Sequence, residues 1–247
     1  MTIVTADAMR RFETDCFSAG SAAPESLMAE AGRGAADCFH DFSRTLPPVS
    51  RRRVVIAAGH GNNGGDGIVM AGHLARELKD AAIELHLVCV PDKLSPAARH
   101  FYSALPRGVP VHCGALPQFH SGDVIVDALL GTGLSGNLRE PYRSWIARLN
   151  ASRCPVFSVD LPSGLGADCC VQADMTAAIG WFKDSLFTPE GARCAGRLRR
   201  IPLTLPGEPE RCGAAIDAEA VARRFRRPDA DIHKYQKGSV LLLGGSV

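Results

Sequence analysis

Ala58-Gly59-His60-Gly61-Asn62-Asn63-Gly64-Gly65-Asp66-Gly67 decides the reading of this chain. Half of these residues are glycine. The run Val54-Val55-Ile56-Ala57 before them has the length and β-branched composition of a buried strand. Ile68, Val69, His73, Leu74 and Leu78 follow at helical spacing. The expected order is strand, glycine loop, helix. Glycine lets such a loop adopt positive φ and lets a ligand approach the backbone. The helix N-terminus beyond it offers unpaired N–H groups that suit a phosphate. Gly59, Gly61 and Gly64 fit a Gly-x-Gly-x-x-Gly spacing, which alone is too weak to define a dinucleotide fingerprint. A Gly-Lys-Ser/Thr sequence, as in a phosphate-transferring loop, is absent. Asn62, Asn63 and Asp66 favour a ligand site over a bare turn.

Outward from this stretch the strand–helix rhythm continues. Toward the N-terminus, Thr5-Ala6-Asp7 can cap a helix running through Met9, Phe12 and Cys16. Residues 25–42 read as a second helix, with Leu27, Met28, Ala31, Ala35 and Phe39 on one face. Gly32 and Gly34 lie inside it, where glycine is costly, and close packing against another element is the expected reason. Toward the C-terminus, strands are expected over 83–90, 109–113, 123–130 and 155–160, with further candidates at 173–179 and 198–205. Helices are expected over 95–104 and 140–149. This alternation predicts an α/β fold: a Rossmann-like three-layer sandwich on a mainly parallel sheet. Ligands in such folds bind beyond the carboxyl ends of the strands.

Three strand ends carry polar, glycine-rich loops, at 62–66, 127–137 and 160–163, all facing one edge of the expected sheet. Asp127 and Asp160 sit at or near strand ends, where a carboxylate must be hydrogen-bonded, paired or used. Asn63, Asp127 and Ser163 are hard oxygen donors that can hold an alkali or alkaline-earth cation; equally, Asp127 and Ser163 can brace loops. Asp160 can exchange protons with a substrate or hold the Pro162-Ser163-Gly164 turn. Ser163 lacks the Gly-x-Ser-x-Gly setting of a nucleophile. His60 can touch a phosphate or face solvent.

The 247 residues suit one large α/β domain, or a domain plus a fragment. A formal charge of +2 gives no global attraction to nucleic acid or membrane. Arg51 to Arg53 and Arg223 to Arg227 read as solvated strand and helix ends. The nine cysteines are odd in number and form no Cys-x-x-Cys, which predicts reduced thiols in a cytoplasmic setting and neither a disulfide framework nor a zinc site. Neither a signal peptide nor a membrane-spanning run is expected.

Three motifs resemble one family. Gly61-Asn62-Asn63-Gly64-Gly65-Asp66-Gly67, Val126-Asp127-Ala128-Leu129-Leu130-Gly131-Thr132-Gly133 and Val159-Asp160-Leu161-Pro162-Ser163-Gly164 are similar to the signature loops of NAD(P)H-hydrate epimerases, the YjeF N-terminal domain family. The opening helices and Arg139-Glu140-Pro141-Tyr142 resemble it too, over about residues 3–205. The resemblance implies interconversion of the R and S forms of NADHX and NADPHX, in which water has added at carbon 6 of the nicotinamide ring. It implies a bound potassium ion held by Asn63, Asp127 and Ser163, and a homodimer or higher homo-oligomer. Substrate contacts would fall on Asn62, Asn63, Gly64, Gly65 and Asp66, on Gly131, Thr132, Gly133, Leu134, Ser135, Gly136 and Asn137, and on Asp160. Asp160 would be catalytic, and Lys183 matches a lysine often seen in the family. His60 stands where a lysine is frequent, and no glycine follows Lys183.

The segment from His233 to Ser246 resembles the first strand of the companion ribokinase-like dehydratase domain of bifunctional members. The expected layout is therefore an epimerase domain over 1–205, a linker and connecting helix over 206–231, and over 232–247 the first strand of a truncated dehydratase domain. The alternative is a non-enzymatic scaffold on the same fold with an RNA or protein partner, since fold does not fix function. A pure scaffold has no need of Asn63, Asp127, Asp160 and Ser163 together. A nicotinamide-dependent dehydrogenase would want an acidic residue ending the second strand, and Val88-Cys89-Val90-Pro91-Asp92 leaves that position ambiguous.

Overall fold

The computed structural model describes residues 1–47, 53–133 and 136–216. Thr2–Gly213 form one compact unit, and Met1 with Ala214, Ala215 and Ile216 belongs to a second. The expected connecting helix and the dehydratase strand lie outside the described residues, as do Arg51, Arg52 and Arg223 to Arg227.

The larger unit is built on seven strands: β2 (Arg53–Ala58), β3 (Ala82–Leu87), β4 (Val111–Cys113), β5 (Asp123–Ala128), β6 (Val156–Val159), β7 (Met175–Ile179) and β9 (Arg197–Ile201). They lie in the order β4-β3-β2-β5-β6-β7-β9. Every pair is parallel. The order runs outward in both directions from β2 and β5, so the topological switch point falls between these two strands. Their apolar runs are buried along almost their whole length, as a sheet covered on both faces requires.

Strand alternation divides the core. Val54, Ile56, Ala58, Val124 and Val126 face one layer, packed with Phe39, Phe42, Ile68 and Leu74 from α2 (Pro24–Arg44) and α3 (Asn62–Glu77). Ala57 and Ile125 face the other, against Trp145, Ile146 and Leu149 of α5 (Tyr142–Ala151). The three-layer sandwich expected from sequence is thus present, with α4 (Pro96–Ser103) packed beside α3. Gly32 of α2 meets α3 so closely that a Cβ there would lie 2.4 Å from Val69 Cβ. That contact accounts for a costly mid-helix glycine without any ligand.

Three features differ from expectation. The glycine loop is shorter than predicted: α3 begins at Asn62, so residues 62–67 are its first turns. The helical register of Ile68 onward simply extends backward, because Gly64, Gly65 and Gly67 buy close packing with the Gly59 carbonyl, Met28 and Ala128. The residues Arg211–Ala214, read as linker, form strand β10. It joins β1 (Thr2–Val4) and β8 (Phe182–Lys183) in a small three-stranded sheet, order β10-β1-β8. Finally, Cys170 and Cys194 are paired as a disulfide, against the expectation of reduced thiols throughout. Both are buried where the segment after β6 meets α6 (Pro189–Cys194), a proximity their spacing does not announce. The other seven cysteines are free.

Candidate active site

A cavity of about 310 Å³ opens at the switch point. Its wall is made by α1 (Ala6–Ser18), by α2, by the turn from β2 into α3, by the loop after β5, and by Asp160, Ile179 and Lys183 beyond β6 and β7. Asn62, Asn63, Asp66, Gly131, Thr132, Gly133, Asp160 and Lys183 are all on this wall. Gly64 and Gly65 are not; they pack α3 against its neighbours. Gly136 and Asn137 are not part of it and are exposed. Leu134 and Ser135 fall outside the described residues.

Among the described residues no side chain caps the entry to α3. Its first backbone N–H groups therefore have no partner within the helix and carry the positive end of the helix dipole toward the cavity. A phosphate is the ligand such an end suits. His60 Nδ1 and the Tyr142 hydroxyl lie 2.6 Å apart on the same wall.

Asp160 sits at the floor. It is a non-glycine residue at φ 66, a conformation that Asp tolerates at some cost and that clusters at functional sites. Its backbone N–H donates to the Ala177 carbonyl at 2.9 Å. Lys183 Nζ donates to Asp160 Oδ1 at 2.5 Å and to the Ile179 carbonyl at 2.6 Å. The Ile179 N–H also reaches Oδ1, at 3.3 Å. The other oxygen, Oδ2, accepts no hydrogen bond among the described residues and lies 3.2 Å from where a Cβ on Gly131 would stand. Lys183 is only 1% exposed, so its cation is committed to the floor.

Two further acids face this pair. Burial pushes Glu13 of α1 from 4.5 up to about 7, while Lys183 pulls it down and Asp160 pushes it up. Burial raises Asp66 well above the usual carboxylate range, helped by Asp160 and Glu13 and opposed by Lys183. The site thus holds three carboxyl groups and one buried ammonium. Sequence reasoning missed Glu13. The available signal was its position: Met9, Glu13 and Phe17 follow at spacings of four on the face of α1 that lines the cavity.

Asp127 and Ser163 are deeper, fully buried behind the wall. The in-register neighbours of Asp127 are Ala57 on β2 and Ser158 on β6. Ser163 Oγ donates to Asp127 Oδ1 at 2.5 Å, and Ser163 N–H donates to Oδ2 at 2.8 Å. Ser158 Oγ donates to Oδ2 at 2.9 Å. Burial raises the Asp127 carboxyl, and these hydrogen bonds oppose that shift. Among the described residues no ion pair reaches Asp127. Asn63 is the complementary case: both its side-chain oxygen and nitrogen are buried without a hydrogen-bond partner among the described residues. The orphaned Asn63 amide oxygen is the donor here that a cation would satisfy, being of the hard oxygen type that alkali ions take; it lies on the cavity wall, while Asp127 and Ser163, of the same donor type, are bonded to each other behind it.

A parallel sheet with an acid-rich cavity at its switch point defines a Rossmann-like small-molecule-binding domain. The fold is shared with the crystal structure of yeast ynu0 (YNL200c), at TM-score 0.61 and 23% identity over 72% of this chain and 80% of that one. The family described as YjeF-related protein N-terminus matches residues 24–185, and the chain belongs to it. Curated relatives include the bifunctional NAD(P)H-hydrate repair enzymes Nnr of Salinibacter ruber, 31% identical over 99% of this chain and 49% of the relative, and of Gloeobacter violaceus, 33% identical over 99% and 50%. The bifunctional NAD(P)H-hydrate repair enzyme of Leishmania infantum is 36% identical over 89% of this chain and 41% of its own length. The chain spans about half the length of these relatives.

Proposed function

We propose that this chain is an NAD(P)H-hydrate epimerase, interconverting the R and S forms of NADHX and NADPHX in cofactor repair. The observation that carries the proposal is the divided Asp160 carboxylate on the cavity wall: Oδ1 anchored by Lys183, Oδ2 without a hydrogen-bond partner among the described residues and beside Gly131. Family membership and the names of the relatives support the substrate class.

The substrate is a hemiaminal, with a hydroxyl on the carbon next to the ring nitrogen. Protonation of that hydroxyl lets the nitrogen lone pair expel water, and the resulting planar carbon keeps no handedness. Water then adds to the opposite face and gives up a proton. In this reading Asp160 Oδ2 holds and moves that proton; the Lys183 bond to the other oxygen, which fixes the carboxylate, supports it. The opening of α3 binds the pyrophosphate through its free N–H groups. Asn63, Asp127 and Ser163 would hold potassium, which supplies positive charge against the buried Asp127 and orders the loops around the substrate. The reading includes a homodimer or higher homo-oligomer in a cytoplasmic setting; the seven free cysteines favour that setting and the Cys170–Cys194 pair counts against it. Among the described residues no helix is long and apolar enough to cross a membrane. The epimerase domain occupies 1–205 with its β10 extension, and the relatives' second activity is not assigned to any residue described here.

The test supplies purified R-form NADHX with potassium and follows the S form by chromatography. Formation of the S form, abolished by Asp160→Asn, is the expected result. Full activity in Asp160→Asn would remove the acid/base role, and no turnover by folded wild type would remove the epimerase reading.

A further inference from the structure

We propose that Glu84, His86 and His112 form a binding site for one divalent transition-metal ion of the zinc class, at the edge of the main sheet and away from the cavity. Glu84 and His86 are two apart on β3, so both project from the same face. His112 on β4 is the in-register partner of His86. One donor atom from each of the three lies within 4.8 Å of the others. The two imidazoles stack with centroids 4.5 Å apart. Two ligands at i and i+2 on one strand with a third on its neighbour form a three-donor nitrogen–oxygen face, with a fourth position left for water.

The surroundings fit a ligand as well. His86 is 6% exposed, and its Nδ1 has no hydrogen-bond partner among the described residues. A buried polar atom without a partner is costly and asks for an explanation. Its Nε2 lies 3.4 Å from Glu84 Oε2. Arg53 grips Glu84 through Nε at 2.8 Å and Nη2 at 2.7 Å, which fixes the carboxylate as outer partners of metal ligands do. That guanidinium also opposes a cation, so the site is expected to be weaker than a closed structural zinc centre. Tetrahedral zinc bonds near 2 Å require donor separations of roughly 3.3 Å. The exposed side chain of His112 is free to close that gap by turning about its own bonds. Metal binding would clip β4 to β3.

Equilibrium dialysis of chelator-treated, reduced full-length protein against zinc chloride tests this. Wild type should take up one zinc per chain. His112→Ala, a change at an exposed edge position, should weaken binding by more than ~10-fold with an unaltered circular dichroism spectrum. Wild type loaded with cobalt should show ligand-field bands of a nitrogen and oxygen set. Failure to bind zinc, equal binding by His112→Ala, or a thiolate charge-transfer band from the neighbouring Cys113 or Cys89 would each overturn the assignment. The cobalt spectrum decides on wild type alone should the variant fail to fold.

Discussion

Lys183 Nζ and Asp160 Oδ1 meet at 2.5 Å in the cavity floor, and Lys183 offsets the raised carboxyls of Glu13 and Asp66. Replacing it should expose how much of the site it holds. Lys183→Met is expected to cost roughly 3–5 kcal/mol at neutral pH, the penalty for stripping one partner from a buried pair. The sign with pH follows from the acids. Without Lys183 their folded pKa values rise further above the unfolded ones, so stability falls as pH rises and returns as pH drops and they protonate. Chemical denaturation of both proteins at pH 5 and pH 8 measures this. Equal destabilisation at the two values would mean Lys183 acts by packing rather than by charge.

Glu13 carries a separate pH signature. Its folded pKa of about 7 lies above the ordinary 4.5, so the folded state binds the extra proton between those values. Stability contributed by the protonated form is complete below pH 4.5 and is lost as pH rises toward 7. The shift corresponds to roughly 3 kcal/mol. Glu13→Gln should match wild type near pH 4 and exceed it by up to that amount at pH 8. Urea midpoints across this range are the measurement, and parallel curves for the two proteins would refute the raised value.

Parallel β2 and β5 were legible because their apolar runs are buried on both faces and end in polar loops, and Asp127 and Asp160 were legible because carboxylates at such ends demand a reason. What stayed hidden has physical causes too. Strands β1, β8 and β10 span two to four residues, too few for a period to show. The start of α3 at Asn62 was masked by glycines whose fit comes from distant atoms such as the Gly59 carbonyl. Glu13 reads as an ordinary helix acid until α1 is placed over the cavity. The Cys170–Cys194 pair depends on the path of the chain between β6 and α6.

The orphaned Asn63 amide gives the cation proposal a readout that needs no substrate. Potassium should raise the melting temperature of wild type beyond the effect of equal choline chloride. At a hundredfold excess over its dissociation constant the gain is about 2.7 kcal/mol. Asn63→Ala should abolish the potassium-specific part. Thermal melts in the two salts decide it, and an undiminished potassium shift in Asn63→Ala would exclude this residue as a ligand.

Gly131 is the contact between the two halves of the site. A Cβ there would stand 3.2 Å from Asp160 Oδ2 and 3.3 Å from Asn63 Cβ, tight enough that one of them must move by a few tenths of an ångström. Gly131 is not among the glycines at positive φ, so alanine is accommodated by the backbone. Gly131→Ala should therefore fold with stability within about 1 kcal/mol of wild type, a typical surface-like change. Its effect should fall on chemistry, because displacement of a reacting group by as little as 1 Å can cost ~100-fold. A tenfold or greater loss of epimerase kcat is expected, accompanied by weaker potassium stabilisation through the shifted Asn63. Steady-state kinetics and the same thermal melts test both parts. Wild-type kcat in Gly131→Ala would show that Asp160 Oδ2 is not the oxygen that handles the proton.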